Sequence, residues 1–157
     1  YYRENTFFWL QYAIAWANIG KYDLAQRFLE AAYSFFHDSE YTVPFQVDTQ
    51  QARLYLLRIE NEKNVDVADY FEKAHLLLMK PAVSLKDNEE KQIQLLRKYV
   101  APAVLKKLPS DFKDRYRRYC GEAYNKVHEF LKKNSSVQVI KNYQRMEKQL
   151  LKASLVK

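Results

Sequence analysis

Glycine is nearly absent: the 157 residues hold two, Gly20 and Gly121, alongside only four prolines. So few breakers exclude a turn-dense all-β protein, a collagen-like chain and a flexible linker, and they favour long helices. The single cysteine, Cys120, excludes an internal disulfide framework and points to a reducing compartment. No apolar run approaches the roughly 20 residues that a membrane span requires. The opening Tyr1-Tyr2-Arg3-Glu4-Asn5 has neither the basic start nor the apolar stretch of a signal peptide. A first residue other than Met leads us to expect a piece of a longer, cytoplasmic protein.

What is present is apolar and aromatic enough to fold. Hydrophobic residues make up 48% and aromatic residues 15%, which excludes intrinsic disorder. The net charge of +7 is unevenly placed. Residues 1–80 hold eight Lys and Arg against eleven Asp and Glu, a net of −3; residues 81–157 hold eighteen against eight, a net of +10. A basic second half can attract phosphates or acidic proteins.

Hydrophobic spacing predicts about seven helices and no strand. Residues 6–19 are apolar nearly all round, as in a helix buried on more than one face. Gly20 ends that helix. Residues 22–36 carry Ala25, Phe28, Leu29 and Ala32 on one stripe, and the short link makes the two helices antiparallel. After the polar connection His37 to Pro44, helices are predicted over 46–61 and 65–79, with Asn64 as the second one's N-cap. Beyond Pro81 and the polar stretch Ser84 to Asn88, a helix over 89–107 should kink or break at Pro102. Ser110 reads as the cap of the next helix, whose stripe is Phe112, Tyr116, Tyr119, Ala123, Val127 and Phe130. Gly121 within it suggests close helix–helix contact. Ser135 or Ser136 caps a last helix carrying Ile140, Tyr143, Met146 and Leu150.

The first two helices carry an internal order of their own. Large aromatic Trp9 and Trp16, small Ala13, Gly20 and Tyr22 at the turn, then Ala25, Leu29 and Ala32 are spaced so that small residues let two helices approach while rings fill between them. With Tyr12, nine positions of this pair resemble the tetratricopeptide repeat (TPR). Ala52 and Tyr55, then Val67, Phe71 and Ala74, form a degraded copy. Its middle is three residues longer, twelve against nine, and it has no turn glycine. The strings FFWLQYAIAW, YDLAQRFLEAAYSF and VDTQQARLYLL further resemble the C-terminal helical region of large bacterial antiphage proteins. Those proteins carry a STAND-type or other P-loop NTPase module, sometimes with a SIR2-type effector. The resemblance covers residues 6–80, with a looser likeness over Tyr99 to Tyr124. It implies a sensor or scaffold that contacts a trigger protein or a neighbouring subunit, and it transfers no activity.

No constellation for chemistry is evident. Two glycines cannot build a phosphate-cradling loop, and His37, His75 and His128 lack a second ligand at metal spacing. Nine residues lie between Arg118 and His128, more than the Arg–His spacing of helical ribonucleases. Cys120 lies on an apolar stripe with no orienting His–Asp pair, so it reads as a buried, inert thiol. Neither catalytic residues nor a metal or other cofactor are expected.

Two surfaces remain as candidates. The first helix of each TPR pair lines a groove. For the second pair this selects Gln46, Thr49, Arg53, Leu56 and Leu57; for the first, Phe7, Leu10, Ile14, Ala17 and Asn18. Phe7, Leu10 and Ile14 are too apolar to face water, so a further helix or a partner is expected to cover them. The second candidate is Arg115, Arg117 and Arg118, where guanidiniums could meet phosphate or acidic groups, although Tyr116 and Tyr119 beside them fall on the buried stripe. Lys141, Arg145, Lys148 and Lys152 form the polar face of the last helix; without Trp or Phe opposite, membrane binding is not expected. The sequence thus predicts an all-α fold. Residues 1–80 would form two TPR-like antiparallel hairpins (an α-solenoid), and residues 81–157 a basic, three-helix C-terminal cap packed on them. The expected function is a non-catalytic module binding another protein. The alternative is a helical nucleic-acid-binding domain using the basic half.

Overall fold

The computed structural model describes residues 2–35, 44–80, 86–134 and 140–155. Among these residues every element is helical. In order they are α1 (Tyr2–Asn18), α2 (Tyr22–Phe35), α3 (Pro44–Asn61) and α4 (Val67–Leu78). Then come α5 (Lys86–Leu95) running into a 3₁₀ turn at Leu96–Val100, and α6 (Pro102–Leu105). A second 3₁₀ turn at Ser110–Phe112 leads into α7 (Lys113–Lys133), and α8 (Ile140–Leu155) follows. No described helix is long and apolar enough to cross a membrane.

Local chemistry sets most boundaries. Gly20, at a φ of +83°, closes α1 as anticipated. Its N–H donates to Ala17 O (3.1 Å) and the Lys21 N–H to Trp16 O (2.9 Å), the pair of bonds that satisfies a helix's last carbonyls. Pro102 breaks the fifth helix as expected: Ala101 is extended (ψ 138°) between the 3₁₀ turn and α6. Two expected caps are corrected. Asp66, not Asn64, opens α4, its carboxylate accepting from the Asp69 N–H at 3.1 Å and complementing the helix dipole. Ser110 caps nothing with its side chain, because the chain makes a 3₁₀ turn there and α7 starts only at Lys113. The proposed caps Ser135 and Ser136 lie outside the described residues.

Cross-helix contacts fix the directions. Asp23–Arg58, Gln26–Gln51 and Tyr33–Asp48 pair α2 with α3 in opposite senses. Glu72–Arg115, His75–Glu122 and Leu78–Lys126 climb together, so α4 and α7 are parallel. Gln92–Lys126 and Tyr99–Tyr116 make the α5 segment antiparallel to α7. Phe130–Tyr143 and His128–Glu147 make α8 antiparallel to α7.

Two apolar cores meet along α3. Val47 and Leu54 join Leu10, Ala13, Ala17, Ala25, Leu29 and Ala32 in the first. Ala52, Leu56 and Ile59 join residues from α4 to α8 in the second. The division of the interior therefore runs through α3 and not at Pro81. Phe71 centres the second core, its ring 4.6 Å from Tyr99, 5.7 Å from Phe112 and from Tyr116, and 6.2 Å from Tyr119. Such ring pairs add specificity to area burial.

Polar groups tie the layers together. The amides of Gln26 and Gln51 exchange hydrogen bonds at 2.9 and 2.7 Å, and the Tyr33 hydroxyl donates to buried Asp48 at 2.5 Å. Two lysines of the second half satisfy helix ends in the first. Lys107 Nζ donates to the carbonyls of Ile59 (2.6 Å), Glu60 (3.2 Å) and Glu62 (3.0 Å). Lys126 Nζ donates to those of Leu78 and Lys80, and to Gln92 Oε1 at 2.7 Å. The last carbonyls of α3 and α4 have no intrahelical partner, and a cation there also complements the dipole.

Candidate partner-binding surface

The sequence-derived groove does not assemble. Thr49 and Leu56 are buried: Thr49 Oγ1 donates to Phe45 O at 2.8 Å and accepts from Gln92, while Leu56 is fully enclosed in the second core. The physical reason is that α5 and α6 pack on α3, covering the face that an open groove would present. Leu57 is half-buried against the first core and Gln46 is half-buried. Arg53 and Asn18 do come together, the guanidinium donating to Asn18 Oδ1. On α1, Leu10 and Ala17 are buried and Ile14 is half-buried against the same core, with residues of α2 and α3. The Phe7 side chain lies outside those described. Among the described residues, the large exposed apolar side chains of α1 are instead Phe8 and Tyr12 (51% each), and Ile19 (66%) follows in the turn after it. Tyr12 still lies 5.5 Å from the Phe28 ring.

The arginine cluster of α7 is engaged within the chain. Arg115 pairs with Glu72 at 3.1 Å and lies over the Phe112 ring. Arg117 pairs with Asp114. Arg118 lies 3.9 Å from Glu122 and over Tyr119. Tyr116 and Tyr119 are buried, as their stripe position indicated.

The groups that could do chemistry are held in structural contacts. His75 is buried, with Nδ1 2.8 Å from the Tyr99 hydroxyl, Nε2 3.0 Å from Glu122 and its ring stacked on Tyr119 at 4.1 Å. Burial pulls its imidazole below the ordinary range, against the upward pull of Glu122. His128 stacks on Tyr124 and lies 3.4 Å from Glu147. His37 lies outside the described residues. Burial pushes the Cys120 thiol up to about 12, which suppresses its nucleophilic form. Among the described residues no three His, Cys, Asp or Glu side chains could hold a metal ion.

One cleft does gather unsatisfied charge. The break at Pro102 leaves a cavity of about 400 Å³ between the 3₁₀ turn and α8. Val100, Ala101, Pro102 and Met146 form its apolar part; Arg97, Asn142, Arg145 and Gln149 form its polar part. Both arginines are exposed, and neither forms an ion pair with a described residue. The nearby carboxylate of Glu90 is occupied, accepting from the Tyr143 hydroxyl at 2.6 Å.

No family model, no curated protein and no solved structure matches the chain.

Sequence reasoning passed over Arg97, which belongs to no dense cluster, and took Arg145 only as part of the polar face of the last helix. Two signals could have found them. Pro102 marks where the fifth helix must break and open a space, and the row Lys141, Arg145, Lys148 and Lys152 gives α8 an outward face with no acidic member. The only carboxylate of α8, Glu147, turns to His128.

Proposed function

We propose that this chain is a non-catalytic protein–protein interaction module built as a TPR-like array. It would serve as the sensor or assembly region of a larger bacterial antiphage NTPase in the cytoplasm. The order of helix directions carries the reading. Helices α1, α3, α5 and α8 run one way and α2, α4 and α7 the other: a short turn joins α1 to α2, Tyr55 and Arg58 meet Lys73 and Tyr70 in reverse order across α3 and α4, and the cross-helix pairs above give the rest. Side-by-side stacking of helical hairpins produces this alternation. In that reading the antiparallel α7 and α8 form the third hairpin, and α5, its 3₁₀ extension and α6 form the connection, which packs on α3 and α8. Three pairs also satisfy the number such arrays need to bury a continuous core. Stacking places one helix of every pair on a common side, which suits extended contact with a protein.

The antiphage setting rests on the resemblance of FFWLQYAIAW, YDLAQRFLEAAYSF and VDTQQARLYLL to the helical regions of such NTPases. The test uses the full-length product of the reading frame with a photo-crosslinking residue in place of exposed Ile19. A crosslinked protein or neighbouring subunit, together with an NTPase module elsewhere in the product, supports the reading. Crosslinks to nucleic acid alone, or a product without an NTPase module, would refute it. Nucleic-acid binding remains the second reading, and the row Lys141, Arg145, Lys148 and Lys152 is the observation that favours it.

A further inference from the structure

We infer that the cleft between the 3₁₀ turn at Leu96–Val100 and α8 binds an acidic peptide segment of a partner protein, with Arg97 and Arg145 receiving its carboxylates. The inference rests on the interaction-module reading and names the chemistry of the partner.

Three observations carry it. The first is charge without a carboxylate partner among the described residues. The other arginines of the second half, Arg115, Arg117 and Arg118, each meet a carboxylate of this chain. Arg97 and Arg145 meet none among the described residues, although they line the same cavity. Guanidinium forks match carboxylates in a planar, two-bond geometry that ammonium groups do not offer.

The second observation is the apolar part of the cavity. Met146 is buried there, with Val100 and Ala101 half-buried beside it. A peptide that alternates acidic and apolar side chains would satisfy the arginines and cover this surface together. The amides of Asn142 and Gln149 are available to its backbone, since they can both donate and accept.

The third observation separates protein from nucleic acid. Among the described residues no aromatic ring lines the cavity. Single-stranded nucleic acids are held by basic grooves in combination with aromatic rings on which bases stack, and this cleft lacks the second component.

The test is fluorescence anisotropy on the full chain, with three labelled probes: a short peptide alternating Glu and Leu, its Gln/Leu counterpart, and an oligodeoxythymidylate. The Glu/Leu peptide should bind more tightly than the Gln/Leu peptide. Arg97→Ala and Arg145→Ala should each weaken it by about tenfold, as expected for loss of a charge-assisted bond. Lys113→Ala, on exposed α7 surface, should leave binding unchanged. Both arginines are exposed, so unchanged circular dichroism is expected for both variants and separates lost binding from lost fold. No preference for Glu over Gln, or binding insensitive to both arginines, would overturn the site. Tighter binding of the oligonucleotide through the same arginines would overturn the occupant. The interaction-module reading fails differently: the full-length protein would then crosslink to no protein, whatever these peptides do.

Discussion

Leu56 separates the observed packing from an open groove more sharply than any other residue. As a groove residue it would face solvent, and Leu56→Ala would change stability by no more than about 0.5 kcal/mol. In the structure it is fully buried, in one core with Phe71, Ile93 and Leu96. Truncation to Ala removes three carbons from that interior. At about 0.8 kcal/mol per buried methylene the transfer loss is about 2.4 kcal/mol. The cavity left between α3, α4 and α5 adds to this, giving about 3–4 kcal/mol. For a domain of this length that corresponds to a melting temperature lower by about 6–15 °C. The assay is urea and thermal unfolding followed by far-UV circular dichroism. Two companions sharpen it. Leu56→Met conserves volume and should cost less than about 1.5 kcal/mol. Arg53→Ala removes one exposed hydrogen bond to Asn18 and should cost less than about 1 kcal/mol. A Leu56→Ala loss no larger than that of Arg53→Ala would mean that α5 and α6 do not cover α3, and the packing described above would be wrong.

Four further outcomes follow from particular contacts. Gly121→Ala should stabilise the chain by about 1 kcal/mol, because a Cβ there meets Ser154 Cβ at an ordinary 3.7 Å while a mid-helix glycine is removed; a lower denaturation midpoint would contradict it. Lys107→Met keeps the apolar stem but strips three carbonyls at the end of α3 of their cation, at a cost of about 1–2 kcal/mol in urea unfolding; a neutral result would show that water caps α3 equally well. The folded chain holds His75 below its ordinary value of 6.5, under burial and the charges of Arg118 and Lys126, with Glu122 opposing. Its neutral form therefore stabilises the fold fully above that value, and this contribution is lost as pH falls from 6.5 towards the folded pKa. Wild type should lose more midpoint over that interval than His75→Gln, and equal losses would remove the role assigned to the imidazole. Cys120, buried and with its thiol pushed up to about 12, should react with a disulfide reagent only as fast as the protein opens, and rapid stoichiometric labelling without denaturant would contradict its burial.

The all-helical character was legible because it rests on local rules. Two glycines, the stripes of α2 and α7 and the break at Pro102 each act within a few residues of themselves. The boundaries that failed are those where one polar residue competes with its neighbours. Asp66 displaces Asn64 as a cap because a carboxylate both accepts the free N–H and meets the dipole. The groove failed for a different reason. Positions on a helix give a direction and not an occupant, and α3 packs on two sides: Val47 and Leu54 towards the first pair, Ala52, Leu56 and Ile59 towards the segments that follow Pro81. Nothing near Thr49 in the sequence announces Gln92, which lies forty-three residues on.

The uneven charge of the chain bears on which basic residues are free for recognition. Taken as a surface property, a net of +10 in the second half suggests a broad anion-binding face. Much of it is turned inward. Lys98 pairs with Glu60, Arg115 with Glu72, and Lys107 and Lys126 hold the carbonyl ends of α3 and α4, so each crosses from the basic half to the acidic one. Changing these residues acts through the docking of one half on the other. Among the described residues Arg97 and Arg145 make no such crossing, and both line the cavity opened by Pro102. Position relative to α3 and α4, rather than density of charge along the sequence, therefore separates the basic residues that build the fold from those left to meet a partner.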